Sequence, residues 1–236
     1  MDPTWVQYYD AFYSFKDYAA EAQTLVQLVQ PHLHSSGKRW LDVACGTGKH
    51  IQYLADDFTC SGLDLEEGLL AAARQRCPGL SFYQGDMRTF SLPESFDVVS
   101  CLFSAIGHML TQEDLEKAVA NMARHLRPGG VLAVEPWFRP ADWHPGRAHM
   151  VTAELGEAKL VRANTSLPPV NERITVLDFH YLIATPQETQ YRREALELRL
   201  TEEAEMRAAF EKAGLTAAFE PQGITGRGLW LGRKPL

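Results

Sequence analysis

The chain has 236 residues, 45% of them hydrophobic and 22% charged, with a formal net charge of −7. That length supports one sizeable core, and the composition is ordinary for a globular domain. The acidic balance argues against a nucleic-acid surface, which needs Lys and Arg to neutralise phosphates. No apolar run approaches the roughly 18 residues of a membrane span, and the first residues lack a signal-peptide pattern. Cys45, Cys60, Cys77 and Cys101 have no C-x-x-C spacing and fall in or beside apolar segments. They read as reduced core thiols of a cytoplasmic protein, not as disulfides or a metal site.

Arg39 to Ala44 is a short, mostly apolar run suited to a buried parallel strand. Cys45-Gly46-Thr47-Gly48 follows as a tight turn, and Lys49 to Phe58 reads as a helix with Ile51, Leu54 and Ala55 on one face. A ligand can therefore sit on the backbone at the carboxyl end of a strand, where open α/β sheets bind ligands. A dinucleotide site requires G-x-G-x-x-G, but here Ala44 takes the first glycine place and His50 the third. The P-loop pattern is also absent, and Asp42 suits a cation such as the amino group of a methionine moiety better than a phosphate. The loop resembles the first motif of class I S-adenosylmethionine-dependent methyltransferases. That resemblance assigns Asp42, Ala44, Cys45, Gly46 and Gly48 to S-adenosyl-L-methionine.

The next strand, Cys60 to Leu65, ends at Asp64, a carboxylate placed to accept hydrogen bonds from both ribose hydroxyls. Capping of the helix Glu66 to Arg76 is the competing role. A third strand, Leu80 to Gln84, leads into Gly85-Asp86-Met87-Arg88. In the same methyltransferase pattern Asp86 faces the adenine amino group and Met87 packs on the ring, with a plain turn as the alternative. The fourth strand, Phe96 to Phe103, runs into Ser104-Ala105-Ile106-Gly107-His108, a loop expected to face the reactive sulfonium. Tyr18, Leu65 and Phe103 join the cofactor set on the same resemblance.

A helix from Gln112 to Leu126 is stopped by Arg127-Pro128-Gly129-Gly130, and Val131 to Glu135 forms the fifth strand. The β-α alternation predicts a Rossmann-like, doubly wound parallel sheet. Residues 137–201 depart from it: a Pro- and aromatic-rich loop, then strand-like stretches at Lys159–Ser166, Arg173–Ala184 and Gln190–Leu200. These predict an inserted antiparallel β layer serving as a substrate lid or homodimer surface, with a register shift near Asp178. Residues 1–136 and 202–236 form the cofactor-binding domain. It closes with a helix at Glu202–Ala213 and strands at Leu215–Glu220 and Gly228–Gly232.

Several stretches narrow the resemblance to amino-sugar N,N-dimethyltransferases acting on nucleotide sugars of the desosamine and mycaminose type. They are Tyr9-Asp10 with Lys16 to Ala22, Leu41 to Gly48, Gln84 to Arg88, Ser104 to His108, Glu135-Pro136-Trp137 and Gly226 to Leu229. Phe138 departs from the family, which tends to have a second tryptophan there. The resemblance implies transfer of one or two methyl groups to the amine of a nucleotide-linked deoxyamino sugar; a non-sugar N- or O-acceptor is the alternative.

Methyl transfer from a sulfonium is an in-line displacement that leaves a neutral thioether, so alignment supplies most of the catalysis. An amine must arrive deprotonated, and His108, whose charge changes near neutral pH, is the candidate base. A purely hydrogen-bonding role for it stays open. Glu135 is a candidate to hold a cationic amine or sugar hydroxyl, and Trp137 to stack on substrate. Tyr9 lies in an N-terminal segment able to fold over the site. Arg227, set between glycines, suits a nucleotide diphosphate; Arg139 and Arg147 are unranked. A dehydrogenase is disfavoured by Ala44 and His50. A nucleic-acid base methyltransferase is disfavoured because no Pro pair follows the fourth strand, and a scaffold because every expected binding position is filled.

Overall fold

In the computed structural model, which describes residues 3–236, the chain starts with two helices, Pro3–Phe12 (α1) and Tyr18–Val29 (α2). Residues 1 and 2 of the expected cofactor domain lie outside the described residues. The Asp17 side chain caps α2 by accepting from Ala20 N–H at 3.0 Å. The α/β repeat then runs Arg39–Val43 (β1), Lys49–Leu54 (α3), Thr59–Asp64 (β2), Glu67–Arg76 (α4), Ser81–Gln84 (β3), Phe96–Cys101 (β4), Gln112–Arg124 (α5) and Leu126–Val134 (β5). These five strands pair in parallel. Residues Arg127–Gly130, expected as a helix stop, lie within β5. The helix ends two residues early, at Arg124, and Gly129 takes the bend with φ +74°.

After an excursion the chain returns through Glu203–Lys212 (α6) to an antiparallel pair whose strands, following the four of the insert, are β10 (Thr216–Glu220) and β11 (Leu229–Arg233). The sheet order is β10-β11-β5-β4-β1-β2-β3. Strand order reverses between β1 and β4, so a crevice opens at their carboxyl ends. Alternating side chains fill both faces of the sheet. Leu41, Val43, Val99 and Leu132 pack with Met122 of α5 and Phe210 of α6. On the other face, Trp40, Val98 and Val131 pack with Leu25, Ile51 and Leu70 of α2, α3 and α4. All four cysteines are buried and unbridged.

The insert is a separate four-stranded antiparallel sheet, ordered Ala148–Leu155 (β6), Ala158–Val170 (β7), Ile174–Ala184 (β8) and Thr189–Arg199 (β9). Three strands were expected. β6 escapes sequence reading because it is an edge strand exposed along nearly its whole length, with no buried face to impose alternation. The expected register shift near Asp178 is also absent: β8 pairs with β9 unbroken from Ile174 to Ala184. The irregularity lies instead between Leu167 and Val170, in the β7–β8 pairing. The inward face of β8 is Thr175, Leu177, Phe179, Tyr181 and Ile183, while Ile174 and Val176 sit on the outer face, which carries apolar residues too. Two apolar clusters help to dock this sheet on the rest of the chain. Phe12, Leu160 and Ile183 cluster beneath α1, and Leu177, Phe179 and Leu198 cluster with Trp137.

Candidate active site

The loop after β1 bends back under positive φ at Ala44 (+59°), Gly46 (+56°) and Gly48 (+75°). Ala44, which broke the dinucleotide pattern, holds a left-handed conformation that glycine would take without strain. A Cβ placed on Gly46 would meet nothing within 4 Å, so the loop backbone borders open space. Asp64 links this loop to the end of β2: Gly46 N–H donates to its Oδ2 at 2.8 Å and Glu66 N–H to its Oδ1 at 2.9 Å. Each oxygen keeps a lone pair for a ligand hydroxyl. Burial raises the Asp64 pKa, against the pull of Gly46 N–H and Leu65 N–H.

Asp42 lies beneath the loop, 2% exposed, accepting from the Ser100 hydroxyl at 2.7 Å, while Trp40 Nε1–H donates to Ser100 at 2.9 Å. Burial pushes its pKa up to about 6. So deeply buried, it offers a ligand almost no surface for direct contact. Burial, then Asp42 and Asp64, hold the Cys45 thiol neutral. The Asp86 carboxylate is gripped by Arg88, with Nη2 at 2.6 Å, and Arg88 lowers its pKa. The turn that carries it is tied to the end of β2, where Gly85 N–H donates to the Asp64 carbonyl at 2.9 Å. Met87 is buried, and its carbonyl accepts from Asn121. The Leu65 side chain is exposed at the rim.

Helices α1 and α2 close one side. The Thr47 hydroxyl donates to Asp10 Oδ1 at 2.6 Å, and Arg76 bonds both Asp10 and the Thr47 carbonyl. Tyr9 packs on Tyr13 with ring centroids 5.0 Å apart. Burial, and behind it the neighbouring Tyr13, Tyr18 and Asp64, raise its pKa and keep the phenol a donor. Tyr18 meets His50 edge-on at 5.0 Å; burial, then Asp10, keeps it protonated as well. His50, at the missing third glycine, lies 2.8 Å from Glu21, which also pairs with Lys16 at 2.7 Å. Burial alone would raise the Glu21 pKa, but the hydrogen bonds from His50 and Lys16 outweigh it and lower it.

The second wall is the end of β4 and β5. Phe103 and Ser104 both have positive φ, +53° and +59°, a strain of roughly 1–3 kcal/mol each that concentrates at functional turns. The turn is pinned by Phe103 N–H donating to Glu135 Oε2 at 2.6 Å and by the Ser104 hydroxyl donating to the Pro136 carbonyl at 2.7 Å. Glu135 is buried, and the Thr225 hydroxyl donates to its other oxygen. Each oxygen thus accepts one hydrogen bond, so Glu135 ties the turn to Thr225 and, like Asp64, keeps a lone pair on each oxygen. Arg227 Nε lies 3.8 Å from Glu135 Oε1, with its guanidinium 6.0 Å from the Phe103 ring and 5.7 Å from Trp137. Trp137 Nε1–H donates to Thr175 of β8 at 3.2 Å, joining the two sheets.

His108 ends the short 3-10 turn Ala105–His108, exposed at the cleft and without a hydrogen-bond partner among the described residues. Surrounding protein atoms still lower its pKa, against the attraction of Asp64. A cavity of about 430 Å³ adjoins this wall, lined in part by Trp137, Phe138, Met206 and Arg227. Asp10, Tyr13, Lys16, Arg76 and Thr225 were not singled out from sequence. Asp10 and Lys16 fall inside stretches that carry the family resemblance, which was the one signal available for them.

Residues 41–130 match the family model described as a methyltransferase domain. The chain is 40% identical over 219 residues to the dTDP-3-amino-3,6-dideoxy-alpha-D-glucopyranose N,N-dimethyltransferase of Streptomyces fradiae, covering 92% of this chain and 85% of that one. It superposes on the crystal structure of Streptomyces venezuelae DesVI with a TM-score of 0.89 at 37% identity, covering 97% of each chain. CalS10 of Micromonospora echinaspora, an amino pentose methyltransferase with S-adenosylmethionine bound, gives a TM-score of 0.85 at 33% identity over 96% of each chain. The glycine loop, the acid at the end of β2 and the likeness over nearly the full length agree: the chain belongs to the S-adenosylmethionine-dependent amino-sugar methyltransferases.

Proposed function

We propose that the protein transfers methyl groups to the amine of a nucleotide-linked deoxyamino sugar, ending at the N,N-dimethyl product. The observation that carries this reading is that the likeness spans the inserted sheet as well as the cofactor domain. Acceptor choice depends on that insert, because its inner face covers the wall that holds His108, Trp137 and Arg227. S-adenosylmethionine supplies a methyl group on a sulfonium whose departure leaves a neutral thioether.

The chain's own residues bind, orient and handle one proton. Gly46, Asp64 and Met87 hold the cofactor's nucleoside, with the field of Asp42 favouring its cationic end. Tyr9 and Tyr18 cover it from α1 and α2. His108, neutral at pH 7, accepts the ammonium proton of the acceptor so that the amine lone pair is free. Glu135 fixes the Phe103–Ser104 turn and orients Arg227, whose guanidinium receives the diphosphate. Catalysis is then mainly alignment of nucleophile, methyl and sulfur. The inserted sheet is a lid over the acceptor. Its outer face, where Met150, Leu182 and Tyr191 are exposed, is a homodimer surface.

The test is a panel of dTDP-linked 3-amino and 4-amino deoxysugars, simple amines and phenols, read by mass spectrometry with S-adenosylmethionine. The expected result is gain of one and then two methyl groups on an aminosugar nucleotide. Methylation confined to the simple amines or phenols refutes the acceptor. Light scattering of wild type and Leu182→Glu checks the dimer, and a monomeric wild type at micromolar concentration refutes it.

A further inference from the structure

Helix α1 is only 10 residues long, too short to hold itself in water, so its place depends on what it touches. Helical spacing gives it three faces. Trp5, Tyr8 and Phe12 pack with Leu160 and Ile183 of the inserted sheet. Tyr9 and Tyr13 pack on each other, and Tyr13 meets Phe103 edge-on at 5.1 Å. Asp10 points at the glycine loop, where its Oδ1 accepts from the Thr47 hydroxyl at 2.6 Å and its Oδ2 from Arg76.

Arg76 closes a ring of three, donating through Nη1 to the Thr47 carbonyl and through Nη2 to Asp10. It stands in the last turn of α4, where a cation suits the helix dipole. That helix approaches the loop closely because residue 48 is glycine; a Cβ there would lie 3.2 Å from the Ala73 Cβ. The members of the ring are 66, 37 and 29 residues apart in the chain, yet each bonds both others. The ring is partly sheltered, with side-chain exposures of 19% for Arg76 and 23% for Asp10, so it is worth more than a pair on open surface.

The chain neighbours of the ring flank the cleft. Gly46, beside Thr47, donates to Asp64. Burial, then Tyr13, Tyr18 and Asp64, raise the pKa of Tyr9, beside Asp10, which puts its phenol in the field of the same carboxylate. We infer that Arg76 is a positioning residue for the cofactor. Through Asp10 it holds α1, and with it Tyr9, down over the glycine loop, and so sets how long S-adenosylmethionine and S-adenosylhomocysteine stay bound. Arg76 touches no reacting atom, and its role is independent of which acceptor is methylated.

The test measures S-adenosylhomocysteine affinity by calorimetry and its release by chasing labelled with unlabelled ligand. Wild type, Arg76→Met, Arg76→Lys, Asp10→Asn and the Arg76→Met/Asp10→Asn pair are compared, with hydrogen exchange over residues 3–12 of the loaded protein. The expected result in Arg76→Met is an affinity weaker by about tenfold, carried by faster release, with quicker exchange in α1. Asp10→Asn behaves alike, and the double variant loses no more than the worse single one, because both remove one interaction. Lysine, which reaches one partner at a time, recovers part of the loss. Losses that add across the pair overturn the assignment. So does a lower melting temperature of Arg76→Met with unchanged affinity and release, which is a role in stability only. If Arg76→Met does not fold, Arg76→Lys and Asp10→Asn decide: faster release in both supports the role, and wild-type release in either overturns it.

Discussion

Phe103 and Glu135 are joined across the ends of β4 and β5 by a 2.6 Å hydrogen bond from the Phe103 amide to the buried carboxylate. The bond holds a turn whose two residues sit at positive φ, and the same carboxylate takes the Thr225 hydroxyl. In Glu135→Gln one of the two donors loses its acceptor and Arg227 loses its countercharge. The expected outcome is a stability loss of about 1–3 kcal/mol and a kcat/KM lower by about tenfold or more. Thermal melts and steady-state kinetics read both. An unchanged variant would show that the turn holds itself.

Protein atoms around the exposed His108 ring lower its pKa, so it is neutral and able to take a proton at pH 7. Its protonation as pH falls removes the base, giving kcat an acid limb below the ordinary histidine range. His108→Asn should lower kcat about a hundredfold, leave cofactor affinity alone and lose that limb. A variant with the wild-type pH profile reduces His108 to an acceptor contact.

Asp64 accepts two backbone N–H groups and retains lone pairs toward the cleft. Asp64→Asn is expected to weaken S-adenosylmethionine binding by about 1–3 kcal/mol, because charged acceptors are exchanged for a neutral amide. The Asp64 pKa is raised, so wild-type affinity also declines as pH drops through that value. Calorimetry at two pH values tests both, and a pH-independent affinity equal in both proteins refutes the ribose assignment.

Burial holds Asp42 near a pKa of about 6, above its ordinary 3.8. Between those values the folded chain keeps a proton that the unfolded chain has released. Ionising Asp42 therefore costs stability progressively as pH rises from about 4 to about 6, on the order of 3 kcal/mol in full. Asp42→Asn should melt higher than wild type at pH 7 and about equally near pH 4, yet bind the cationic cofactor less tightly. A lower melting temperature at pH 7 would contradict this sign.

The doubly wound half of the fold was legible because its strands are buried on both faces and read as apolar runs. Val98 and Val99 face opposite clusters, and Trp40 and Leu41 do the same. Asp64 was legible because a carboxylate closes such a strand before a helix. The inserted sheet was harder. β6 has no buried face, and β8 carries apolar residues on both, so alternation counted across Asp178 mixed two faces into one. The partners that complete the site were hidden by chain distance. Thr47 finds Asp10 37 residues away, and Glu135 finds Thr225 90 residues away. Arg76 carries no local pattern at all; only the two partners brought to it by folding make it unusual.

Helix α1 is fastened to both sheets, since Asp10 holds Thr47 of the glycine loop and Phe12, two residues on, packs 5.4 Å from Tyr181 of the inserted sheet. One helix thus bridges the two compartments, so a movement that opens one is expected to disturb the other. Double methylation is then expected to run as two separate visits, because spent S-adenosylhomocysteine has to leave before a second methyl donor arrives. In a mass-spectrometric time course the monomethyl compound should accumulate free and then be consumed; a dimethyl product formed with no free monomethyl compound refutes the coupling.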